Sequence, residues 1–271
     1  MTVEATRRSF IDFHNHVLSG VDDGARSEAE SRAAVQAFFD AGAEAVIATP
    51  HFDASLADQP DRFAERMTAI DRAWSTLHGW AKDALPELRL ARGVELKLDV
   101  PAPDCSDARV RLAGGRFVLV EYAAMTVPIQ SELPLRSIMA QGYVPVLAHP
   151  ERYVGFDGEL VRAREWKRAG ALLQINAGSL TGRYGERART NAMLLLGAGL
   201  ADYLCSDYHA RGDITTPAVL DASTDEAEAF ALLSRHNPRR LLDDEAPLAV
   251  PALQRRSWWH SVARALGMKS A

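Results

Sequence analysis

Six short apolar runs in this chain each end in a histidine or an acid. They are Phe-His-Asn-His at 13–16, Thr-Pro-His at 49–51, Val-Glu at 94–95, Val-Glu-Tyr at 120–122, Ala-His-Pro-Glu-Arg at 148–152 and Ser-Asp-Tyr-His at 206–209. Imidazole and carboxylate are the ligands of borderline and hard divalent metals. Their recurrence at the ends of apolar runs predicts one polynuclear metal centre, and hydrolytic chemistry with it.

Taken singly, each piece has a plainer alternative. His14 and His16 stand at i and i+2, so on a strand both side chains point to one face and can share an ion. A lone His-x-His pair is equally well a polar strand end. Gly20-Val-Asp22-Asp23-Gly24, directly after the pair, adds carboxylates in a glycine-bounded loop. Asp23 is assigned there to metal and Asp22 to turn chemistry. His51 follows Ala-Val-Ile-Ala-Thr-Pro, and by itself reads as a hydrogen-bonded histidine at a strand end. Glu95 and Glu121 each close a strongly apolar run, where a carboxylate without a cation or metal costs on the order of several kcal/mol. His149 precedes Pro150, and Asp207 with His209 repeats the i, i+2 logic. These nine candidates exceed what one tetrahedral ion accepts, so two or three metals are expected.

Close ions bridged by carboxylate activate a hydroxide and clamp an in-line displacement at phosphorus. A His/Asp/Glu set without thiolate favours Mn, Fe or Zn, with manganese first; Mg or Ca would take fewer imidazoles. Phosphate also needs a cation, and Arg152, three residues after His149, is the best-placed one. Its alternative is a surface salt bridge with Glu151. Arg183, in Ser179-Leu-Thr-Gly-Arg-Tyr-Gly185, and Arg211 are lesser candidates for the substrate, each equally readable as a solvated loop residue. Neither Cys105 nor Cys205 lies in a Cys-x5-Arg loop, which argues against a cysteinyl-phosphate route.

The elements that must position these groups alternate along the chain. Apolar runs at Phe10–Phe13, Ala45–Ala48, Leu88–Val94, Phe117–Val120, Val144–Leu147, Ala171–Ile175 and Ala201–Cys205 predict seven strands. Segments of helical period lie between them: Ser27–Ala41, with Ser27 and Glu30 as a capping box, Asp61–Trp80, Ile129–Gln141, Glu159–Ala169 and Glu186–Leu196. Repeated βα units imply parallel strands with the working face at their carboxyl ends. A doubly wound sheet gathers its site at one switch point, whereas ligands here follow six strands. The expectation is therefore an α/β fold of (β/α)7 TIM-like barrel type. Asp225–Arg235 and Asn237–Leu242 read as helical, the latter closing the far end of the barrel, and Thr216–Glu228 reads as an acidic loop. Trp258–Lys269 reads as an amphipathic terminal helix suited to packing or oligomer contact.

A chain of 271 residues, 47% hydrophobic and 25% charged, suffices for one domain over 1–271, with a barrel at about 10–245 and a tail at 246–271. The formal net charge of −5 gives no footprint for nucleic acid. Two cysteines fit reduced thiols better than a disulfide. Nothing in the sequence resembles a signal peptide, and no run approaches ~18 apolar residues, so a cytoplasmic protein without membrane insertion is expected.

Together these motifs, with Leu147-Ala-His149-Pro-Glu-Arg152-Tyr153 and Gln174-Ile-Asn176-Ala-Gly-Ser179-Leu-Thr-Gly-Arg-Tyr-Gly185, resemble the polymerase-and-histidinol-phosphatase (PHP) superfamily. Within it, the chain is similar to the capsule-type bacterial protein-tyrosine phosphatases over about residues 10 to 245. The resemblance implies a distorted seven-stranded barrel holding three metals, often manganese. It implies His14, His16, Glu121 and Asp207 around the first ion, and Glu95, a bridging Glu121 and His149 around the second. Asp23, His51 and His209 would hold the third, and Arg152 would contact phosphate. It further implies, as substrate, the phosphotyrosine tail of a membrane-associated tyrosine autokinase controlling capsule or exopolysaccharide export, and homo-oligomeric assembly. Two alternatives remain at this stage: a phosphoesterase acting on a small metabolite such as histidinol phosphate, and a non-catalytic, metal-stabilised adaptor of the export machinery.

Overall fold

The computed structural model describes residues 9–156 and 160–253. The tail expected around Trp258–Lys269 and the expected helix start at Glu159 lie outside the described residues. Nine strands are described: β1 (Phe10–Asp12), β2 (Ala43–Ala48), β3 (His51–Asp53), β4 (Arg89–Arg92), β5 (Glu95–Leu98), β6 (Phe117–Tyr122), β7 (Val144–Ala148), β8 (Leu172–Asn176) and β9 (Tyr203–Cys205). All pair in parallel, in a three-stranded sheet ordered β1-β2-β4 and a six-stranded sheet ordered β3-β5-β6-β7-β8-β9. The continuous apolar run of β6, buried along its whole length, is what a parallel strand covered on both faces requires.

The seven expected strands become nine because two of them resume, after an interruption, as a further strand beyond their expected ends. Pro50, which has no N–H for a ladder, separates β2 from β3. Gly93 separates β4 from β5 and passes so close to the Arg111 carbonyl that a Cβ would lie 2.9 Å from it. His51 and Glu95, expected to close strands, instead open β3 and β5 and face each other in register. The breaks also divide the sheet, and no closed sheet forms among the described residues. The two sheets meet at Gly93 N–H to Ala48 O (2.9 Å) and Glu95 N–H to Pro50 O (3.0 Å). The end of β1 reaches that of β9 through a parallel Asn15–Tyr208 bridge.

Helices cover the sheets where the 3.6-residue period turns apolar positions inward. Glu28–Asp40 begins at Ser27, whose side chain accepts the Glu30 N–H, and buries Ala34, Val35 and Phe38. The Glu30 carboxylate turns to the Arg26 N–H and guanidinium rather than to the Ser27 N–H, so only half of the capping box forms. Pro60–Ala84 starts with proline in its first turn and buries Met67, Ile70, Ala73, Leu77 and Ala81 along one stripe. Glu132–Ala140 begins later than the expected Ile129, because Gln130 is left-handed (φ 57°). The expected acidic loop at 216–228 is largely helical instead, as Thr215–Ala222 and Ala227–Ala231, since Val219, Leu220, Ala229 and Phe230 face the core. Asn237–Leu242 is helical as expected. Its Leu241 and Leu242 pack on a small inner core of Ile11, Phe13, Ala45, Ile47, Leu119, Val146, Tyr203 and Cys205. A larger core lies between the sheets and the helices.

Candidate metal centre

The strand ends converge on one cavity of about 260 Å³ bordered by Asp23, His51, Glu95, Glu121, His149, Arg152, Asp207 and His209. His14 and His16 lie beneath it, fully buried. Four groups of donor atoms, each with all atoms within 4.8 Å of one another, form there: His16, Asp23, His51 and His209; His14, Glu95 and His149; His14, His16 and Asp207; and His51, Glu95 and Glu121. All nine ligand candidates chosen from the sequence are brought together.

Their arrangement differs from the expected one in the identity of the central carboxylate. Glu95 Oε1 lies 3.1 Å from His14 Nε2 and 3.0 Å from His149 Nε2, while its Oε2 lies 3.4 Å from His16 Nε2 and 3.0 Å from His51 Nδ1. Glu121, expected to bridge beside His14, His16 and Asp207, approaches His51 Nδ1 at 3.2 Å and shares its donor group with His51 and Glu95. Glu95 opens β5 and is fully buried, whereas Glu121 lies near the end of β6 and is slightly exposed.

The donor set fits divalent ions. His14 Nε2, His16 Nε2, His51 Nδ1 and Glu95 Oε2 are buried and make no hydrogen bond, although each faces oppositely polar atoms. Buried polar atoms left without partners are costly unless something neutral or cationic completes them. Around them the outer ring nitrogens are fixed: His14 Nδ1 by Gln174 Oε1 (2.7 Å) and His16 Nδ1 by Asp22 Oδ2 (2.8 Å). This leaves the opposite nitrogens aimed inward, the usual support for a metal-binding imidazole. Asp22 also accepts the Gly24 and His51 N–H groups, so its role exceeds turn chemistry. A Cβ at Gly24 would overlap the His16 carbonyl, so glycine alone lets this loop close over the site.

Without cations, protons must balance the charges. Burial pushes His14 down, but the Glu95 and Asp207 carboxylates override it and lift the ring to about 9. Burial likewise lowers His51, and Glu121 and Glu95 lift it to about 10. Burial raises Asp207 and Glu95, yet the surrounding imidazoles hold both carboxyls well below the usual range. His209, stacked on His16 with ring centroids 4.1 Å apart, is lowered by burial and by His16. Two ligand candidates occupy strained backbone: His149 (φ 36°) and Asp207 (φ 54°) are left-handed, a conformation that non-glycine residues adopt at a cost and that clusters at functional sites.

Residues 10–242 match the family model for capsular polysaccharide synthesis, CpsB/CapC. The chain belongs to the CpsB/CapC family. It is similar to the tyrosine-protein phosphatase YwqE of Bacillus subtilis (strain 168), 28% identical over 207 residues that cover 73% of this chain and 77% of the relative. It is also similar to the tyrosine-protein phosphatase CpsB of Streptococcus pneumoniae, 26% identical over 248 residues, covering 87% of this chain and 99% of the relative. A solved structure from work on YwqE of Bacillus subtilis and CpsB of Streptococcus pneumoniae, described as unique metal-dependent tyrosine phosphatases, has a TM-score of 0.74 at 24% identity. The match covers 90% of this chain and 100% of that one, a likeness of fold.

In this CpsB/CapC chain the three arginine candidates separate. Arg152 borders the cavity, and its Nη1 holds Asp207 Oδ2, not Glu151. Glu151 is buried, accepting the Asn176 N–H (2.9 Å) and the Ser179 hydroxyl (2.6 Å). Arg211 is exposed beside the site, bonded to the Asp23 carbonyl. Arg183 is exposed and reaches the Asp213 carbonyl at 3.5 Å. Cys105 and Cys205 are both free and buried; burial raises the Cys105 thiol to about 12 and raises Cys205 as well. Three supporting residues escaped the sequence reading as site residues. Asp12 accepts N–H groups from His14, Ser206 and the Asn15 amide; Gln174 holds His14; and Asn176 Nδ2 donates to Asp207 Oδ2 (2.8 Å). The signal was available, since Asp12 precedes His14 by two residues and Gln174 and Asn176 are themselves an i, i+2 pair closing an apolar run.

Proposed function

We propose that this chain is a metal-dependent phosphoric monoester hydrolase that removes phosphate from protein phosphotyrosine. The observation carrying this reading is the pairing of a buried His/Asp/Glu nest with one arginine on its rim, in a cavity with no cysteine on its border. The tyrosine-phosphatase names of its relatives support it. In this reading Glu95, with His14 and His149 beside one of its oxygens and His16 and His51 beside the other, would hold the ions together with these histidines. Asp23 and His209 complete one outer position, Asp207 another, and Glu121 supports His51. When bound, the divalent ions supply Lewis-acid charge and an activated water for displacement at phosphorus. The rest belongs to the chain. Asp207 keeps one oxygen inward, and Asn176 and Arg152 fix the other. Arg152 thereby presents its remaining N–H groups to phosphate oxygens. His209, on the border of the cavity and lowered by burial and by His16, is assigned with Arg152 and Asp207 to the catalytic set.

The further parts of the reading are a distorted seven-stranded barrel, manganese as the native metal, and a cytoplasmic setting. The proposed partner is the phosphotyrosine tail of a membrane-associated tyrosine autokinase, and the enzyme assembles as a homo-oligomer, with Arg211 and Arg183 as secondary substrate contacts. The inner core shared by β1, β2, β6, β7 and β9 and the Asn15–Tyr208 bridge support the barrel. Among the described residues no helix is long and apolar enough to cross a membrane. Turnover of phosphotyrosine peptides and of histidinol phosphate by manganese-loaded protein tests the function. Peptide turnover lost in His149→Ala is expected; turnover that survives complete metal removal overturns the reading.

A further inference from the structure

The loop Thr181–Gly185 contains Arg183, which reaches the Asp213 carbonyl, and Tyr184, which packs on Arg152 at the cavity border. Gly182 (φ 82°) and Gly185 (φ 86°) are left-handed, and the bonds Arg183 N–H to Gly178 O (2.9 Å) and Gly185 N–H to Gly182 O (2.9 Å) fold the loop back over the short helix Ala177–Leu180. Arg152 then lies over the Tyr184 ring, with Cζ 4.0 Å from the ring centroid. The approach depends on Gly178, where a Cβ would meet Tyr184 Cε2 at 2.9 Å.

We propose that Tyr184 is a positioning residue that, by stacking on the Arg152 guanidinium, holds it in the orientation that receives a substrate phosphate. The ring covers the guanidinium at Cζ, and Asp207 Oδ2 holds its Nη1. Two restraints on a planar group leave only its remaining edge free to meet an anion. The ring also shields one guanidinium face from water, which strengthens the bonds the fork makes to phosphate. The backbone beneath is held as well: Arg187 donates to the carbonyls of Arg152 (3.0 Å) and Tyr153 (2.6 Å). With its base clamped, the long Arg152 side chain is the part that the ring must order. This inference rests on the proposed phosphate contact of Arg152.

The test compares manganese-loaded wild type, Tyr184→Leu, Tyr184→Phe, Gly178→Ala and Arg152→Ala. Four quantities are read: KM and kcat on a phosphotyrosine peptide, the dissociation constant of orthophosphate by calorimetry, and metal per chain. Loss of a cation–π contact of this kind corresponds to about a 5- to 30-fold change. Tyr184→Leu is expected to raise KM and the phosphate dissociation constant together by that factor, with metal content unchanged and kcat much less affected. Tyr184→Phe keeps both constants near wild type, because the ring face acts and not the hydroxyl. Gly178→Ala, which displaces the ring without deleting it, moves both in the same direction and decides the matter if the leucine variant misfolds. In the Arg152→Ala background Tyr184→Leu has no further effect. Wild-type phosphate affinity in Tyr184→Leu and Gly178→Ala, while Arg152→Ala weakens it, overturns the role of Tyr184 and leaves the arginine assignment standing. Unchanged affinity in Arg152→Ala overturns both. Absence of peptide turnover in wild type counts against the phosphatase reading alone, since orthophosphate binding still reads the stack.

Discussion

Asp207 is shared between two environments: its Oδ1 faces His14 Nε2 at 3.3 Å and His16 Nε2 at 3.4 Å, and its Oδ2 holds Arg152 and Asn176. One carboxylate thus ties the metal-binding floor to the cation on the rim. The backbone at Asp207 is left-handed (φ 54°) where this link is made.

Removing Arg152 deprives Asp207 of its charge partner and, in the proposed function, the substrate phosphate of its cation. Arg152→Ala is expected to lower kcat/KM on phosphotyrosine peptides by about 10²- to 10³-fold, the usual scale for one anion-stabilising donor in an enclosed site. Arg152→Lys should recover little, because an ammonium cannot bond carboxylate and phosphate through a planar fork. Steady-state kinetics with metal content measured in parallel decide this, and a lysine variant at wild-type rate would contradict it.

Glu95 touches four histidines, whereas Glu121 touches one. Glu95→Gln is therefore expected to lose more than one ion per chain and all detectable turnover. Glu121→Gln should keep more metal than Glu95→Gln. Elemental analysis of both proteins after identical loading gives the answer; equal losses would mean that the two carboxylates serve alike.

Metal uptake should release protons, because His14 at about 9 and His51 at about 10 are protonated at neutral pH in the metal-free protein and must be neutral to ligate. Calorimetric titration in buffers of different ionisation enthalpy reads this directly. The same shifts set stability. Both rings bind protons more tightly folded than unfolded, so their contribution is complete below about 6.5 and disappears as pH rises through 9 to 10. Asp207, held below its ordinary value, acts oppositely: its contribution is present above about 4 and falls away in acid. Metal-free protein should thus lose thermal stability progressively between about pH 6.5 and 10, and manganese should abolish that loss. Identical pH profiles with and without manganese would be inconsistent with ions at this site.

Cys205 lies in the inner core with no exposed surface, and Cys105 is equally buried. Cys205→Ser should leave kcat unchanged while lowering stability by about 1–3 kcal/mol, the cost of placing a hydroxyl in an apolar site. Thiol alkylation of the native enzyme should likewise spare activity. A serine variant that folds and carries metal but cannot turn over substrate would point to a thiol mechanism.

Much of this protein was legible before folding was considered. The alternation of apolar runs with helical periods specified parallel βα units, and the run ends named eight of the nine converging ligand candidates, with Asp23 from the glycine-bounded loop as the ninth, because burial periodicity and ligand chemistry are both properties of residue type. Ser27 marked its helix start and Pro60–Ala84 its long amphipathic stripe for the same local reason. What only the tertiary structure decided are relations between distant segments. Pro50 and Gly93 break two strands, but the consequence, His51 facing Glu95 in register, exists only once those strands pair. Glu95 rather than Glu121 became the central carboxylate, and Arg152 turned to Asp207, 55 residues away, rather than to its neighbour Glu151. Tyr184 met Arg152 because two left-handed glycines reversed its loop over Gly178. Strand order and crossover geometry set which side chains share a cavity, and those are cooperative outcomes of packing that no local pattern encodes.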